Sequence, residues 1–232
     1  MANMQQQKQV KKVSVNKEKS GDRISSQIIA RKQIVSNPAI SMYRGPTSTI
    51  RVRNQEALNV ALVGSATTPY TARNFFRVAP SASDTGLSWL TAIADQYSMY
   101  RFHNITIRYV PTTGTTQSGY MAMGFFPDAE EATQWAPGGD GTLSELSQCR
   151  KFTQVPLYGE SSIKLDSKDF VLDWYYVDPV STSSSESRLT VAGGVGIMVT
   201  TNSTLTNSSV GILYMEYDVE LKFPVTKNPN IV

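Results

Sequence analysis

The chain contains one cysteine, Cys149, and one histidine, His103, in 232 residues. A single cysteine excludes an intramolecular disulfide framework and any cysteine-based zinc cluster of the usual kind. It suits a reducing compartment. The single histidine lies inside a strand-like stretch, where packing or hydrogen bonding is a commoner role than catalysis. No apolar run approaches the roughly 18–20 residues needed to span a bilayer. The N-terminal MANMQQQKQVKK lacks the apolar core of a secretory signal. A soluble, cytosolic protein without a membrane partner is therefore expected. No G-x-S-x-G elbow occurs. Gly139-Asp140-Gly141 and Gly193-Gly194-Val195-Gly196 complete neither the glycine spacing nor the Lys-Ser/Thr ending of a phosphate loop. They read as turn and strand glycines, and an enzyme is not expected.

What is present is charge, unevenly placed. The formal net charge is +3, but residues 1–32 carry Lys8, Lys11, Lys12, Lys17, Lys19, Arg23, Arg31 and Lys32 against only Glu18 and Asp22. That balance of +6 leaves the rest of the chain near −3. A basic segment with few large apolar residues cannot bury enough surface to offset its ordering entropy, so a disordered arm is predicted. Lysine and arginine interspersed with Gln, Ser and Asn bind a polyanion by neutralising phosphates and releasing counterions, without base-specific geometry. All eight basic residues are candidate nucleic-acid ligands, with a solubilising tail as the alternative. The trend continues through Arg44, Arg51 and Arg53. Between arm and fold, residues 33–47 contain Asn37-Pro38 and Gly45-Pro46 and read as an extended linker.

From residue 48 to 232 the pattern is that of strands bounded by Gly, Pro, Ser and Asn. The expected strands are STIRVR, ALNVALVG, FFRVAP, YRFHNITIRYVPT, GYMAMGFFP, KFTQVPLY, VLDWYYV, RLTVAGGVGIMVTT and VGILYMEYDVELKFP. In the last, Leu213, Met215, Tyr217, Val219, Leu221 and Phe223 share one face, and Glu216, Asp218, Glu220 and Lys222 share the other. Two short helices interrupt the strands. One spans 84–97, with Leu90, Ile93, Ala94 and Tyr97 on one side and Ser83 or Asp84 as its cap. The other spans 142–148, where Thr142 and Glu145 have capping-box spacing. Such a chain is all-β, and its best-populated solution is an eight-stranded antiparallel jelly-roll sandwich. The immunoglobulin sandwich is the rival, but its Cys–Trp–Cys spacing is impossible with one cysteine.

The smooth run GYMAMGFF ends in PDAEEA, placing Asp128, Glu130 and Glu131 within four positions. By themselves these acids are open to three readings: catalytic pair, metal ligands or solvated turn. The wider stretch SWLTAIADQYSMYRFHNITIRYVPTTGTTQSGYMAMGFFPDAEEA resembles the shell-domain signature of small icosahedral plant RNA virus coat proteins of the tombusvirus and sobemovirus type. The matching positions are Trp89, Tyr97, Tyr100, Arg101, Tyr109, Pro111, Gly119, Asp128 and Glu131. The resemblance implies a viral jelly-roll shell domain, an arm that packages single-stranded viral RNA, and many copies of the chain in one closed shell. It implies a virion as destination and assembly in the host cytoplasm; the protruding domain of the tombusvirus type is not expected, since Val232 comes soon after the last strand. It also implies calcium at subunit boundaries, held by Asp128 and Glu131 with donors from a neighbouring copy. Glu131 departs from the aspartate of the family's Asp-x-x-Asp loop. Asn230 and the Val232 carboxylate are further candidate donors by the same resemblance. The alternative in another class is a non-capsid RNA-binding or ligand-binding β-sandwich module.

Overall fold

The computed structural model describes residues 39–43, 49–58, 60, 62, 70–81, 85–177, 187–201 and 209–225. The basic arm, most of the linker, Asn230 and Val232 lie outside them. Two antiparallel sheets face each other. In the first, β1 (Ala39–Tyr43), β2 (Thr49–Ala57), β10 (Gly211–Pro224), β4 (Tyr97–Pro111) and β7 (Ser161–Asp166) lie side by side, and the short β8 (Tyr175–Tyr176) pairs with the start of β4. The second runs β3 (Tyr70–Arg77), β9 (Gly194–Thr201), β5 (Gly119–Phe126) and β6 (Lys151–Pro156). The order β2-β10-β4-β7 over β3-β9-β5-β6 is that of the expected jelly roll. No described helix is long and apolar enough to cross a membrane.

The core lies between the sheets, where Val52, Tyr100, Phe102, Ile105, Ile107 and Tyr109 meet Met121, Met123, Phe125, Val195, Ile197 and Val199. Period-two alternation puts those side chains inward, and β4 keeps that phase only with one correction. The register with β10 shifts between Asp218 and Val219, so that Asn104 opposes Asp218 and Phe102 opposes Val219. The extra residue, His103, makes a bulge. Two successive side chains, His103 and Asn104, then point outward, while Phe102 and Ile105 both stay buried.

The second sheet is covered on its outer side as well. The 127–150 connection folds back over it as a 3₁₀ helix, Glu131–Trp135, and a helix, Leu143–Ser147. Together they make a separate small core of Ala122, Phe126, Ala132, Trp135, Leu146 and Met198. This explains why residues 121–126 are buried without interruption: a strand apolar on both faces has both faces covered. Glycines make room for the lid. A Cβ on Gly196 would lie 2.5 Å from Trp135 Cδ1, and one on Gly194 would lie 2.5 Å from the Ala132 Cβ. The helix at Leu143–Ser147 carries the expected capping box: Thr142 Oγ1 accepts from the Glu145 amide, and Glu145 Oε2 accepts from the Thr142 amide at 2.7 Å.

The other helix differs from its expectation. It spans Ser88–Ala94, seven residues, and Tyr97 already begins β4. Its N-terminus is capped from a distance, because Glu56 of β2 accepts from the amides of Trp89 at 2.9 Å and Leu90 at 3.1 Å. The Tyr217 hydroxyl donates to the same carboxylate at 2.6 Å. A carboxylate at a helix start also meets the positive end of the helix dipole.

Other differences are local. Residues 39–43 of the linker add β1 to the edge of the first sheet. Regular pairing of β2 stops at Ala57, and of the described residues of ALNVALVG beyond it Leu58 and Leu62 are buried in the core. VLDWYYV contributes only two strand residues, and β7, whose alternation is diluted by Ser and Lys, was not expected. Ser187–Thr190 form a helical turn, and β9 starts after Gly193, whose φ of +143° an L side chain rarely adopts. Phe223 is turned out of the core by its own φ of +59°.

Two substitutions test this account. Glu56→Ala leaves two helix amides and the Tyr217 hydroxyl without their shared acceptor, and is expected to lower unfolding stability by about 2 kcal/mol, read from the urea midpoint. Gly196→Val drives a side chain into Trp135 and is expected to cost about 1–3 kcal/mol, with an accompanying change in tryptophan emission; an unchanged midpoint would contradict the lid's close fit.

Candidate functional site

The acidic turn follows β5. Its backbone is shaped by Asp128, whose Oδ1 accepts from the Glu130 amide at 3.1 Å, while the Glu131 amide donates to the Asp128 carbonyl oxygen at 3.2 Å. This is an Asx turn leading into the 3₁₀ helix. The remaining Asp128 oxygen, Oδ2, pairs with an Arg188 guanidinium nitrogen at 2.6 Å. Glu131 is exposed and begins the 3₁₀ helix. The turn therefore brings the two expected ligands onto one short segment, and the fold adds an arginine that sequence reasoning missed. Arg188 lies sixty positions further along the chain, with no local pattern linking it to Asp128. Among the described residues, no group of three or more His, Cys, Asp or Glu side chains is placed to hold a metal ion.

A cavity of about 310 Å³ adjoins this ion pair, lined by Pro127, Asp128, Ala129, Val171, Tyr175, Arg188 and Val191. Across the 3₁₀ helix, Cys149 is half-buried, and burial together with the Glu131 charge pushes its thiol up to about 11. It is protonated at neutral pH and is a poor nucleophile.

The outer face of the first sheet is a second functional candidate. Here β2, β10 and β4 align charges row by row. Asp218 accepts two bonds from Arg51, at 2.6 and 2.7 Å, and one from Arg53 at 2.8 Å. Glu220 accepts from Arg101 at 2.7 Å and contacts His103 Nε2 at 2.9 Å. Burial raises both carboxyls, but the hydrogen bonds and charges of the neighbouring cations outweigh it and hold both below the usual carboxylate range. His103 is thus a bulge residue facing a carboxylate, the packing and hydrogen-bonding role its strand position suggested. Arg51 and Arg53, which continued the basic trend of the sequence, lie on this face. Lys8, Lys11, Lys12, Lys17, Lys19, Arg23, Arg31 and Lys32 fall outside the described residues.

The comparisons with known proteins agree with this architecture. The profile of the family described as "Viral coat protein (S domain)" matches residues 24–227. The chain is 27% identical over 223 residues to the capsid protein of tobacco necrosis virus (strain A), covering 85% of this chain and 74% of that one. It is 25% identical over 158 residues to the capsid protein of tomato bushy stunt virus (strain BS-3), covering 67% of this chain but only 36% of the relative. Among solved structures, tobacco necrosis virus superposes with a TM-score of 0.69 at 22% identity, covering 82% of this chain and 89% of that one. Melon necrotic spot virus does so with a TM-score of 0.68 at 20% identity, covering 93% and 61%. These relatives are structural capsid proteins and not enzymes, in keeping with a sequence that offers no catalytic set. On a family match that spans most of its length and a fold that completes the jelly roll, this chain belongs to the viral coat protein (S domain) family.

Proposed function

We propose that many copies of this chain assemble into a closed icosahedral shell that packages single-stranded viral RNA through the basic arm. The observation that carries this reading is the placement of charge relative to the family match. Lys8, Lys11, Lys12, Lys17, Lys19 and Arg23 all precede residue 24, where the match begins, so a polycation is joined to the front of a neutral-to-acidic shell fold. A cationic tether on each copy neutralises phosphate wherever RNA runs, which suits packaging without sequence preference. Assembly in the host cytoplasm accords with a lone, protonated Cys149 that needs no oxidising compartment.

Calcium is part of the same proposal, as an ion bridging neighbouring copies. Asp128 and Glu131 offer the hard oxygen donors calcium takes, but the ion takes six to eight oxygens, and one copy supplies two carboxylates of which Asp128 is already paired with Arg188. The turn fits as half of a site. A neighbouring copy must complete it, and calcium must compete with the Arg188 guanidinium for Asp128 Oδ2. When bound, the cation would offset carboxylate repulsion between copies; Asp128 and Glu131 would supply the charge that holds it.

Two experiments test these readings. Changing Lys8, Lys11, Lys12, Lys17, Lys19 and Arg23 together to Ala is expected to leave the circular dichroism spectrum unchanged. The same change should lower encapsidated RNA and reduce the salt dependence of RNA binding by about 4 in logarithmic slope, at roughly 0.7 per charge. Undiminished packaging would refute the arm's role, and a small monodisperse species in every condition, seen by light scattering and negative-stain microscopy, would favour the non-capsid module. For calcium, wild-type particles are expected to swell on chelation with EDTA, whereas particles of the Asp128→Asn, Glu131→Gln double variant are expected to ignore it. Equal responses would remove these two residues as ligands.

A further inference from the structure

The two sheets differ in what covers them. The outer face of the β3-β9-β5-β6 sheet is sealed by the 127–150 connection, while no described element packs over the outer face of the β1-β2-β10-β4-β7 sheet. That bare face carries aromatic rings paired with cations at one corner. Register places Lys222 opposite Met99, and Met99 opposite Tyr176, so these three side chains form one outward row. Beside them, the Arg101 guanidinium lies 4.7 Å from the Trp174 ring centroid, and Lys222 Nζ lies 5.1 Å from Trp174 and 4.5 Å from Phe223. Tyr176 is 54% exposed and Phe223 is 43% exposed, the latter held out by its left-handed backbone. A backbone conformation unfavourable to a bulky residue, used to present an aromatic ring to solvent, is unlike ordinary surface packing.

The charges of this face are unequally satisfied. Asp218 and Glu220 are already neutralised by arginines, whereas Lys222, Arg108 and Lys164 form no ion pair among the described residues. Against those cations stand Glu216 and Asp166. Arg108 repeats the corner's pattern further along, lying 6.0 Å from the Tyr214 ring. Ala39, first residue of β1, lines a groove of about 430 Å³ on this face with Arg53, Asn104 and Thr106.

We propose that the corner formed by Arg101, Trp174, Tyr176, Lys222 and Phe223 is a second binding site for single-stranded RNA, in which unpaired bases stack on the rings while the unpaired Lys222 ammonium meets the phosphates and Arg101, held by Glu220, backs the Trp174 ring. Interleaved rings and cations on an open sheet are what sequence-tolerant single-strand binding uses, since every base has a stacking face. A duplex, whose bases are already stacked, gains only the phosphate contacts. The inference rests on the packaging reading, and it extends RNA contact from the arm to the folded domain.

The test uses full-length protein and a short single-stranded oligonucleotide RNA, with a duplex of equal length as control. Trp135 is fully buried and Trp89 packs against the main core, so Trp174 is the tryptophan placed to report a stacked base. The single strand is expected to quench tryptophan emission and the duplex not to. Trp174→Phe, which keeps an aromatic ring, is expected to abolish the quench while RNA still binds. Tyr176→Ala with Lys222→Ala, at exposed positions, is expected to weaken single-strand affinity about tenfold, the loss of roughly one stacked base, with duplex affinity changed far less. RNA binding with no tryptophan response, or a quench that survives Trp174→Phe, would overturn the site while leaving the arm's role intact. Unaltered RNA affinity with failed particle formation in the Tyr176, Lys222 variant would overturn it in favour of a contact between copies. Absence of any RNA binding by the wild-type chain would overturn the packaging reading as well.

Discussion

The pairing of β10 with β4 on one side and β2 on the other is the constraint on which the rest of the molecule depends. Thirteen registered positions join β10 to β4 and nine join it to β2. Because directly opposed residues on antiparallel strands share a face, this register alone decides that Arg51, Arg53 and Asp218 meet, and that Arg101, His103 and Glu220 meet. On the inner face it brings Tyr217 beside Glu56, which in turn fixes the start of the helix at Ser88–Ala94. A slip of one residue would exchange the ion-pair rows for the core row and leave both carboxylates buried among apolar side chains. The His103 bulge is what reconciles the alternation of β10, which holds up to Lys222, with that of the longer β4.

A second asymmetry follows from the connections. The long excursion between β5 and β6 is spent as a lid, so the β3-β9-β5-β6 sheet is buried on both faces and tolerates only apolar residues and glycine at its centre. The connection carries the acidic turn on its first residues, which places Asp128 and Glu131 just past the end of β5, at the rim of the sandwich. The opposite sheet has no such lid and remains polar. One sheet is thus sealed on both faces, and the other keeps a polar outer face.

The ion pair between Asp128 and Arg188 shows why isolated acids in a sequence are ambiguous. The same carboxylate can serve a turn through Oδ1, an arginine through Oδ2, and a cation only in exchange for one of them. Arg188, with its side chain 72% exposed, is weakly tied to that position by salt-screened attraction.

Much of the architecture was legible in the sequence because it rests on short-range periodicity. The alternation of β10, the two-sided apolar run of β5 and the Thr142–Glu145 capping box are each encoded within a few positions, and jelly roll and short helices follow from them. What tertiary structure alone decided depends on residues far apart in the chain. The amides at the start of the helix at Ser88–Ala94 are met by Glu56, a carboxylate on a neighbouring strand, while Ser83 and Asp84 lie outside the described residues. Phe223 leaves the core although its alternation says otherwise, because a left-handed turn at the strand's end reverses its side. β1 and β7 were hidden because edge strands with one solvated side carry weak patterns, and the pairing of Arg188 with Asp128 has no signal at all until folding brings the two chain segments to one rim. Local periodicity specifies elements; only the closing of the sheets selects which charges, rings and carboxylates become neighbours.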